Sequence, residues 1–214
     1  MKTSVKKMVL LAMLAAVAYI MVFLVRIPVV LFLSYEPKDV IITVGGFLLG
    51  PMASFVISLI VSLVEMVTIS DTGPIGCVMN LLSTCCFSCT AAFIYKRKHT
   101  LPGAIIGLAA GSALMAAAML LWNWLITPMY MGVERAAVEA LLLPAFLPFN
   151  LLKAGFNSAL TLALYKPLVS TLRKTGLVQP RPDSGSSSKT GVYLFAFALL
   201  ATCILLLLVL QKKL

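Results

Sequence analysis

Seven apolar segments are spread along the chain, and their lengths restrict it to structures that form inside a lipid bilayer. They lie at about residues 8–25, 40–49, 52–69, 75–95, 104–126, 147–169 and 191–210. All but the short second segment approach the ~20 residues that an α-helix needs to cross the hydrocarbon core. None shows the period-two alternation of membrane barrel strands. The sequence therefore predicts an all-α fold, a polytopic membrane helical bundle.

The composition is that of a membrane protein, and the distribution of its positive charges explains them without a nucleic-acid partner. Hydrophobic residues make up 61% of the 214 residues and charged residues 11%, whereas soluble proteins hold about 45–50% and 25%. With a cytoplasmic N-terminus and alternating spans, eleven cations fall in cytoplasmic segments against Asp183 alone. They are Lys2, Lys6, Lys7, Lys96, Arg97, Lys98, Lys166, Arg173, Lys174, Arg181 and Lys189.

This charge asymmetry follows the positive-inside rule and accounts for the net charge of +10 by membrane topology. We therefore predict a multi-pass protein of the cell (plasma) membrane with its N-terminus in the cytoplasm. Lys212 and Lys213 then lie outside, which is the one discordant point.

A polar stretch divides the chain into unequal parts. Residues 1–174 are predicted to form a six-helix membrane domain that binds a substrate. Residues 175–190 are rich in Ser, Pro and Gly, a composition typical of a flexible linker. Residues 191–214 are predicted to add a C-terminal transmembrane helix.

The sixth span carries one cation and two amides in an otherwise apolar helix. Asn150, Lys153 and Asn157 are spaced so that they share one helical face. A charge within a span costs about 2.5–3.5 kcal/mol on insertion scales, and such residues commonly line substrate paths. We interpret the face as a wall of a ligand pocket. The alternative is that Lys153 snorkels to the interface while the amides bond neighbouring helices.

Polar side chains of three spans converge at one depth in this topology. Asn80 lies near the outer start of the fourth span, Asn123 near the outer end of the fifth, and Asn150 and Lys153 near the outer start of the sixth. At 1.5 Å per residue, Lys153 is about 9 Å below the outer rim. A shared depth predicts a pocket open to the exterior. Asn157 is one turn deeper, where it either floors the pocket or bonds an adjacent helix.

The segment 26–39, which precedes the second span, is punctuated by prolines and ends in charged residues. Its polar end predicts an outer loop rather than a membrane segment. Its apolar half either folds back over the bundle as a lid or rests on the membrane as a connector. In the third span, Glu65 is expected to reach the interface rather than to pair with a pocket cation.

The residues that drive chemistry are missing from the sequence. There is no phosphate-binding loop, no nucleophile beside a histidine and no buried carboxylate pair for a proton relay. The cysteines at 77, 85, 86, 89 and 203 lie in predicted spans, and we interpret them as small packing residues rather than a disulfide, metal or redox set. The chain is therefore predicted to bind a ligand without catalysis, metal or cofactor.

Uptake of that ligand would need an energised partner, since the halves of the chain do not show the paired interrupted helices of an inverted-repeat transporter. Ala12 and Ala16 form a smooth strip on the first span, and small residues at this spacing allow close helix approach in lipid. The strip is a candidate docking surface for such a partner.

Two motifs give the chain a family resemblance. They are Asn-Trp-Leu-Ile-Thr-Pro-Met-Tyr at 123–130 and Leu-Leu-Pro-Ala-Phe-Leu-Pro-Phe-Asn-Leu-Leu-Lys at 142–153. On these residues the chain resembles the substrate-binding S component of an energy-coupling factor (ECF) vitamin transporter, of the riboflavin-specific type. The resemblance covers the six spans from Met8 to about Leu172, and the seventh span departs from it.

The resemblance implies roles for individual residues. It implies that Asn150, Lys153 and Asn123 contact riboflavin, which is the transported ligand and not a cofactor. Tyr130, at the end of the first motif, is a further candidate for ligand binding. The resemblance also implies that Ala12 and Ala16 dock on the transmembrane coupling subunit of a module with two ATPase subunits. It further implies that the S component topples in the membrane to deliver the vitamin.

Other functions stay open at this point. One is the same architecture with another vitamin or a flavin nucleotide as ligand. A second, from another class, is an intramembrane redox enzyme that uses Cys85, Cys86 and Cys89. A third is an assembly factor that binds no small ligand.

Overall fold

The computed structural model of the protein describes residues 5–70, 72–174 and 189–213, and these are almost entirely helical. The helices are α1 Val5–Leu24, α2 Lys38–Leu49, α3 Pro51–Thr68, α4 Gly73–Thr84, α5 Thr90–Lys98, α6 Leu101–Met131, α7 Arg135–Leu141, α8 Leu147–Lys174 and α9 Lys189–Lys213. Two π-helical segments, Cys85–Cys89 and Leu142–Phe146, join α4 to α5 and α7 to α8 without a break in the helix.

Five helical stretches of the described chain are long and apolar enough to cross a membrane. They are Val5–Leu24, Pro51–Thr68, Gly73–Lys98, Leu101–Met131 and Arg135–Tyr165. The fourth and fifth predicted spans lie within two of them, the first and third predicted spans each extend one residue beyond theirs, and the last contains most of the sixth. The fifth span is longer than predicted because the helix continues through Pro128 to Met131.

The short second span forms a core helix rather than a lipid-facing one. Every residue of α2 from Lys38 to Phe47 is buried, against α1, α3, α5 and α8. The turn into α3 is made by Gly50, whose φ of 102° lies in the region that favours glycine, followed by Pro51 at the first position of the new helix. A helix of 12 residues suits this place because packed neighbours, not lipid, surround it.

The segment 26–39, which was predicted as an outer loop, has secondary structure of its own, and the prediction is wrong for its charged end. Its apolar half forms an antiparallel hairpin of β1 Ile27–Val30 and β2 Leu33–Tyr35. Its charged end begins α2, where Lys38 is 1% exposed and Asp39 is 0% exposed. Lys38 and Asp39 leave water because ion pairs and hydrogen bonds from other helices replace their hydration, as described below.

The hairpin folds back over the bundle. Val29, Val30, Leu33 and Tyr35 are buried in a cluster with residues of α7, the second π-helical segment and α8. This cluster includes Val138, Ala145, Phe146 and Phe149. The hairpin is therefore held by apolar burial over the start of α8, and of the two alternatives for this segment the structure has the covering one.

Two glycines allow α6 to lie against the backbone of the preceding helix. A Cβ atom built on Gly107 would lie 2.7 Å from the carbonyl oxygen of Ala91, and one built on Gly111 would lie 2.5 Å from the carbonyl oxygen of Phe87. Phe87 belongs to the π-helical segment Cys85–Cys89. The Gly-x3-Gly spacing thus leaves α6 without side chains at two positions where the backbone of the preceding helix is close.

The C-terminal helix α9 packs along α8 and reaches β1. Gly155 of α8 makes room for it, since a Cβ atom built there would lie 2.5 Å from Sγ of Cys203. The predicted linker at 175–190 falls mostly outside the described residues, which resume at Lys189. The division of the chain into a 1–174 domain, a linker and a separate helix stays a prediction.

Candidate ligand-binding cavity

One cavity lies beneath the hairpin, among α3, α4, α6 and α8. The open space between its lining residues, including the part that is continuous with solvent, is about 670 Å³. Its lining consists of Arg26, Phe32, Leu33, Ser34, Glu36, Glu65, Ile69, Ser70, Thr72, Met79, Asn80, Ser83, Met119, Asn123, Phe149, Asn150 and Lys153. The wall therefore combines apolar surfaces with several amide and charged groups.

Four of the six predicted ligand-binding residues line this cavity. They are Asn80, Asn123, Asn150 and Lys153, which come from α4, α6 and α8. The structure thus brings together the residues that share a depth in the sequence-based topology. Their contact with a ligand stays a prediction.

Asn123 and Asn150 are held in place by bonds to their own helices. Asn123 Nδ2 donates to the carbonyl oxygen of Met119 at 2.8 Å, and its Oδ1 accepts from the Thr127 hydroxyl at 2.9 Å. Asn150 Nδ2 donates to the carbonyl oxygen of Phe146 at 2.8 Å. Since a carboxamide has two N–H donors and two acceptor lone pairs, both amides keep further bonding capacity.

Asn157 lies below the cavity and outside its lining. Its Nδ2 donates to Asp39 Oδ2 at 3.0 Å, and its Oδ1 accepts from the Tyr35 hydroxyl at 3.2 Å. Burial, followed by the charge of Asp39, raises the pKa of Tyr35, so that this group remains a hydroxyl donor. Asn157 was predicted either to floor the pocket or to bond an adjacent helix, and the structure shows it bonded to Asp39 of α2 and Tyr35 of β2.

Tyr130 also lies outside this cavity. It is 37% exposed and lines a smaller apolar cavity of about 240 Å³ with Trp122 and Ile126. Phe32 of the hairpin borders both cavities, and its ring is edge-on to that of Tyr130 at 5.5 Å between centroids. Tyr130 thus contacts one of the three residues that line both spaces, which are Phe32, Thr72 and Met79.

A buried cation that the sequence analysis placed in a loop connects two walls of the cavity. Lys38 Nζ lies 2.6 Å from Glu65 Oε1 and 2.9 Å from Glu36 Oε2. Glu36 also pairs with Arg26 Nε at 3.4 Å, and Glu65 Oε2 accepts from Asn80 Nδ2 at 3.2 Å. The expectation that Glu65 reaches the interface is wrong, because it is 3% exposed and ion-paired.

Asp39 is the centre of a second buried polar cluster, next to the ion pairs of Lys38. Its Oδ1 accepts from the Thr84 hydroxyl at 2.7 Å, and its Oδ2 lies 3.5 Å from Lys153 Nζ and accepts from Asn157. Its backbone carbonyl accepts from the hydroxyls of Thr43 and Ser88. This carboxylate therefore ties α2 to α4 and α8 and fixes the ammonium that faces the cavity.

The charges around the cavity balance. Three cations, Arg26, Lys38 and Lys153, meet three carboxylates, Glu36, Asp39 and Glu65. A ligand that enters this space therefore needs no net charge to compensate the protein, while its hydrogen-bonding groups meet both donors and acceptors. The arrangement suits a neutral molecule with an apolar body and polar edges.

In the part of the chain that the structure describes, no group of three or more His, Cys, Asp or Glu residues could hold a metal ion. The five cysteines are free thiols. Cys203 packs against Gly155, in keeping with the predicted packing role.

The predicted docking strip is open on the surface of the bundle. Ala12 and Ala16 are exposed, whereas Ala15 and Ala18 of the same helix are buried in a cluster with residues of α2 and α3. The exposed side of α1 also carries Met13, Val17 and Ile20. Such a face can meet either lipid or an apolar partner helix.

The chain is similar to known proteins in sequence. Residues 6–165 match the family model of the ECF transporter, substrate-specific component. The riboflavin transporter RibU of Staphylococcus aureus (strain TCH60) is 25% identical over 178 residues, covering 79% of this chain and 93% of that protein. The riboflavin transporter FmnP of Bacillus subtilis (strain 168) is 26% identical over 161 residues, covering 70% of this chain and 84% of that protein.

A solved structure of the S component of a bacterial ECF transporter has a similar fold. It superposes with a TM-score of 0.67 at 26% sequence identity, covering 78% of this chain and 98% of that chain. This similarity confirms the predicted all-α membrane bundle. The family match ends at residue 165, so that α9 lies beyond it.

Proposed function

The chain belongs to the family of ECF transporter substrate-specific components, and we propose that it binds riboflavin in the cavity beneath the hairpin for uptake into the cell. As a member of this family it is a membrane-embedded transporter component and not an enzyme. The proposed ligand rests on the similarity to two riboflavin transporters and on the chemistry of the cavity. The observation that carries it is the convergence of Lys153, Asn150 and Asn123 on one charge-balanced space.

Riboflavin matches this space in its chemistry. Its ring system is flat and mostly apolar, and Phe32, Met79, Met119 and Phe149 offer apolar walls for it. Amide and ammonium groups supply hydrogen bonds for the polar ring edge and for the hydroxyls of the ribityl chain. Because riboflavin is neutral, it leaves the ion pairs around the cavity intact.

The first prediction concerns the residues on α8. Lys153→Ala and Asn150→Ala are each expected to weaken riboflavin binding by more than about tenfold, since a hydrogen bond from a buried amide or charged group is worth roughly 1–3 kcal/mol. Quenching of riboflavin fluorescence by the purified proteins measures the affinity. Lys96→Ala is the matched control, because Lys96 is exposed at the end of α5, far along the helix from Asn80. Equal affinity in both α8 variants and the wild type would contradict the assignment.

The orientation and the partners belong to the same proposal. We place the N-terminus in the cytoplasm, which puts the cavity mouth and the hairpin on the outer side, as the positive-inside rule favours. A transmembrane coupling subunit and two ATPase subunits would supply the energy. The coupling subunit is expected to contact α1 at Ala12 and Ala16, where exposed methyl groups allow a close helix contact.

The second prediction tests this contact. Ala12→Phe with Ala16→Phe is expected to abolish riboflavin uptake by cells, because two rings hold the partner helix away, while riboflavin binding by the purified chain stays within about twofold of the wild type. Ala109→Phe is the control, since Ala109 is an exposed alanine of α6. Uptake at the wild-type rate by the double variant would show that the coupling subunit docks elsewhere.

A further inference from the structure

Lys38 is completely buried, yet it touches two carboxylates that face the cavity. Its side chain is 1% exposed and is absent from the cavity lining, whereas Glu36 and Glu65 both line the cavity. Lys38 therefore lies behind the cavity wall and does not contact a ligand itself. We propose that Lys38 is a positioning residue that holds Glu36 and Glu65 as a paired acceptor site for the hydroxyl groups of the ligand.

The geometry explains why a single ammonium can do this. Its nitrogen lies within 2.9 Å of oxygens from both carboxylates, and an ammonium has three N–H donors to distribute. Glu36 precedes α2 and follows the hairpin, while Glu65 is on α3. Lys38 therefore fixes the distance between the hairpin side and the helix side of the cavity.

The two carboxylates could not stay together without this cation. Like charges this close repel strongly where little water screens them. Arg26 reaches Glu36 at 3.4 Å but is about one-third exposed, so water screens its charge more than that of Lys38. On Glu65, Asn80 supplies a neutral donor at 3.2 Å. Lys38 is the charge that both carboxylates share.

The chemistry of this acceptor site selects the part of the ligand that it meets. Ionised carboxylates accept hydrogen bonds and donate none. The matching groups on a neutral ligand are hydrogen-bond donors. Riboflavin has a single N3–H on its ring edge and several hydroxyls on its ribityl chain, so the ribityl chain is the better match for two neighbouring carboxylates. The inference rests on the proposed function, and it assigns the chain end of the ligand to the Glu36 and Glu65 side and the ring to the rest of the cavity.

The test compares two flavins on one variant. Lys38→Met removes the charge and keeps a similar length. Riboflavin affinity is expected to fall by about tenfold or more, as when hydrogen bonds to charged groups are lost. Lumiflavin, which has the ring system but a methyl group in place of the ribityl chain, is expected to bind the variant and the wild type within about twofold of each other. Fluorescence quenching of each flavin by the purified full-length proteins gives both affinities.

A purely structural role for Lys38 predicts a different result. If the cavity collapses, both flavins lose affinity together, and that outcome overturns the proposal, as does unchanged affinity for both. Lys38→Met with Glu65→Gln covers the case in which the single variant fails to fold, because Arg26 and Glu36 then remain as a balanced pair. This double variant is expected to lose riboflavin and keep lumiflavin in the same way. A wild-type protein that binds no flavin would refute the proposed function itself.

Discussion

Asp39→Ala is expected to destabilise the folded protein by about 3–5 kcal/mol, the usual cost of removing one partner of a buried ion pair. Asp39 is 0% exposed and receives Lys153, Asn157 and Thr84 on its two oxygens. Without it, the ammonium of Lys153 loses its nearest anion, and α2 loses its polar ties to α4 and α8. Thermal unfolding of the purified protein in detergent measures the loss. Riboflavin affinity is expected to fall as well, since Lys153 is no longer held.

Two variants separate charge from hydrogen bonding in this result. Asp39→Asn keeps the shape and an acceptor oxygen, so it is expected to be less destabilising than Asp39→Ala. Glu134→Ala is the control for loss of an exposed carboxylate, because Glu134 is at the surface before α7. If Asp39→Ala and Glu134→Ala unfolded at the same temperature, the buried interactions of Asp39 would not contribute to stability.

Gly111→Val is expected to destabilise the protein by about 3 kcal/mol, at the upper end of the cost of overpacking. Even the first added atom would lie 2.5 Å from the carbonyl oxygen of Phe87, a separation that real Cβ atoms essentially never show. Backbone, not a flexible side chain, is in the way, so α6 must move as a whole. Because α6 carries Met119 and Asn123 in the cavity wall, riboflavin affinity should fall together with stability.

The matched control for this substitution is Ala109→Val in the same helix. Ala109 is exposed, so the added methyl groups meet no neighbouring backbone. Comparison of the two variants by thermal unfolding in detergent isolates the helix contact from the helix propensity of valine. Equal unfolding temperatures would show that α6 does not depend on the approach at Gly111.

The lengths of the apolar segments and the placement of charges were enough to predict the membrane helices and one side of the cavity. Asn80, Asn123, Asn150 and Lys153 could be placed together because each is fixed by its position along a long helix. Helical rise and topology are local properties that a sequence contains. The same reasoning located the strip of small residues on α1, where Ala12 and Ala16 are exposed.

The carboxylate side of the cavity could not be predicted in this way. Lys38 and Asp39 look like loop residues because isolated charges belong in water. Their burial depends on partners far along the chain, such as Glu65 at a separation of 27 residues and Asn157 at 118. Tertiary pairing decided the outcome, and neither hydropathy nor spacing near residue 38 indicates it.

The C-terminal helix shows the opposite case. Hydropathy alone predicts a helix near residues 191–210, and the structure has α9 at Lys189–Lys213. Helix α9 packs on α8 at Gly155 and reaches β1. This placement depends on the shape of the α8 surface, which the leucine-rich sequence of α9 does not specify. The family model matches residues 6–165. Helix α9 therefore lies outside the part of the chain that the family model covers.

The central claim is that the cavity beneath the hairpin holds riboflavin, and titration of riboflavin with the purified full-length protein tests it most directly. Riboflavin fluorescence is expected to be quenched to saturation at one flavin per chain, as the aromatic and polar walls enclose the ring. Fluorescence that stays unchanged when the protein is in large excess over riboflavin would contradict the assignment of this ligand.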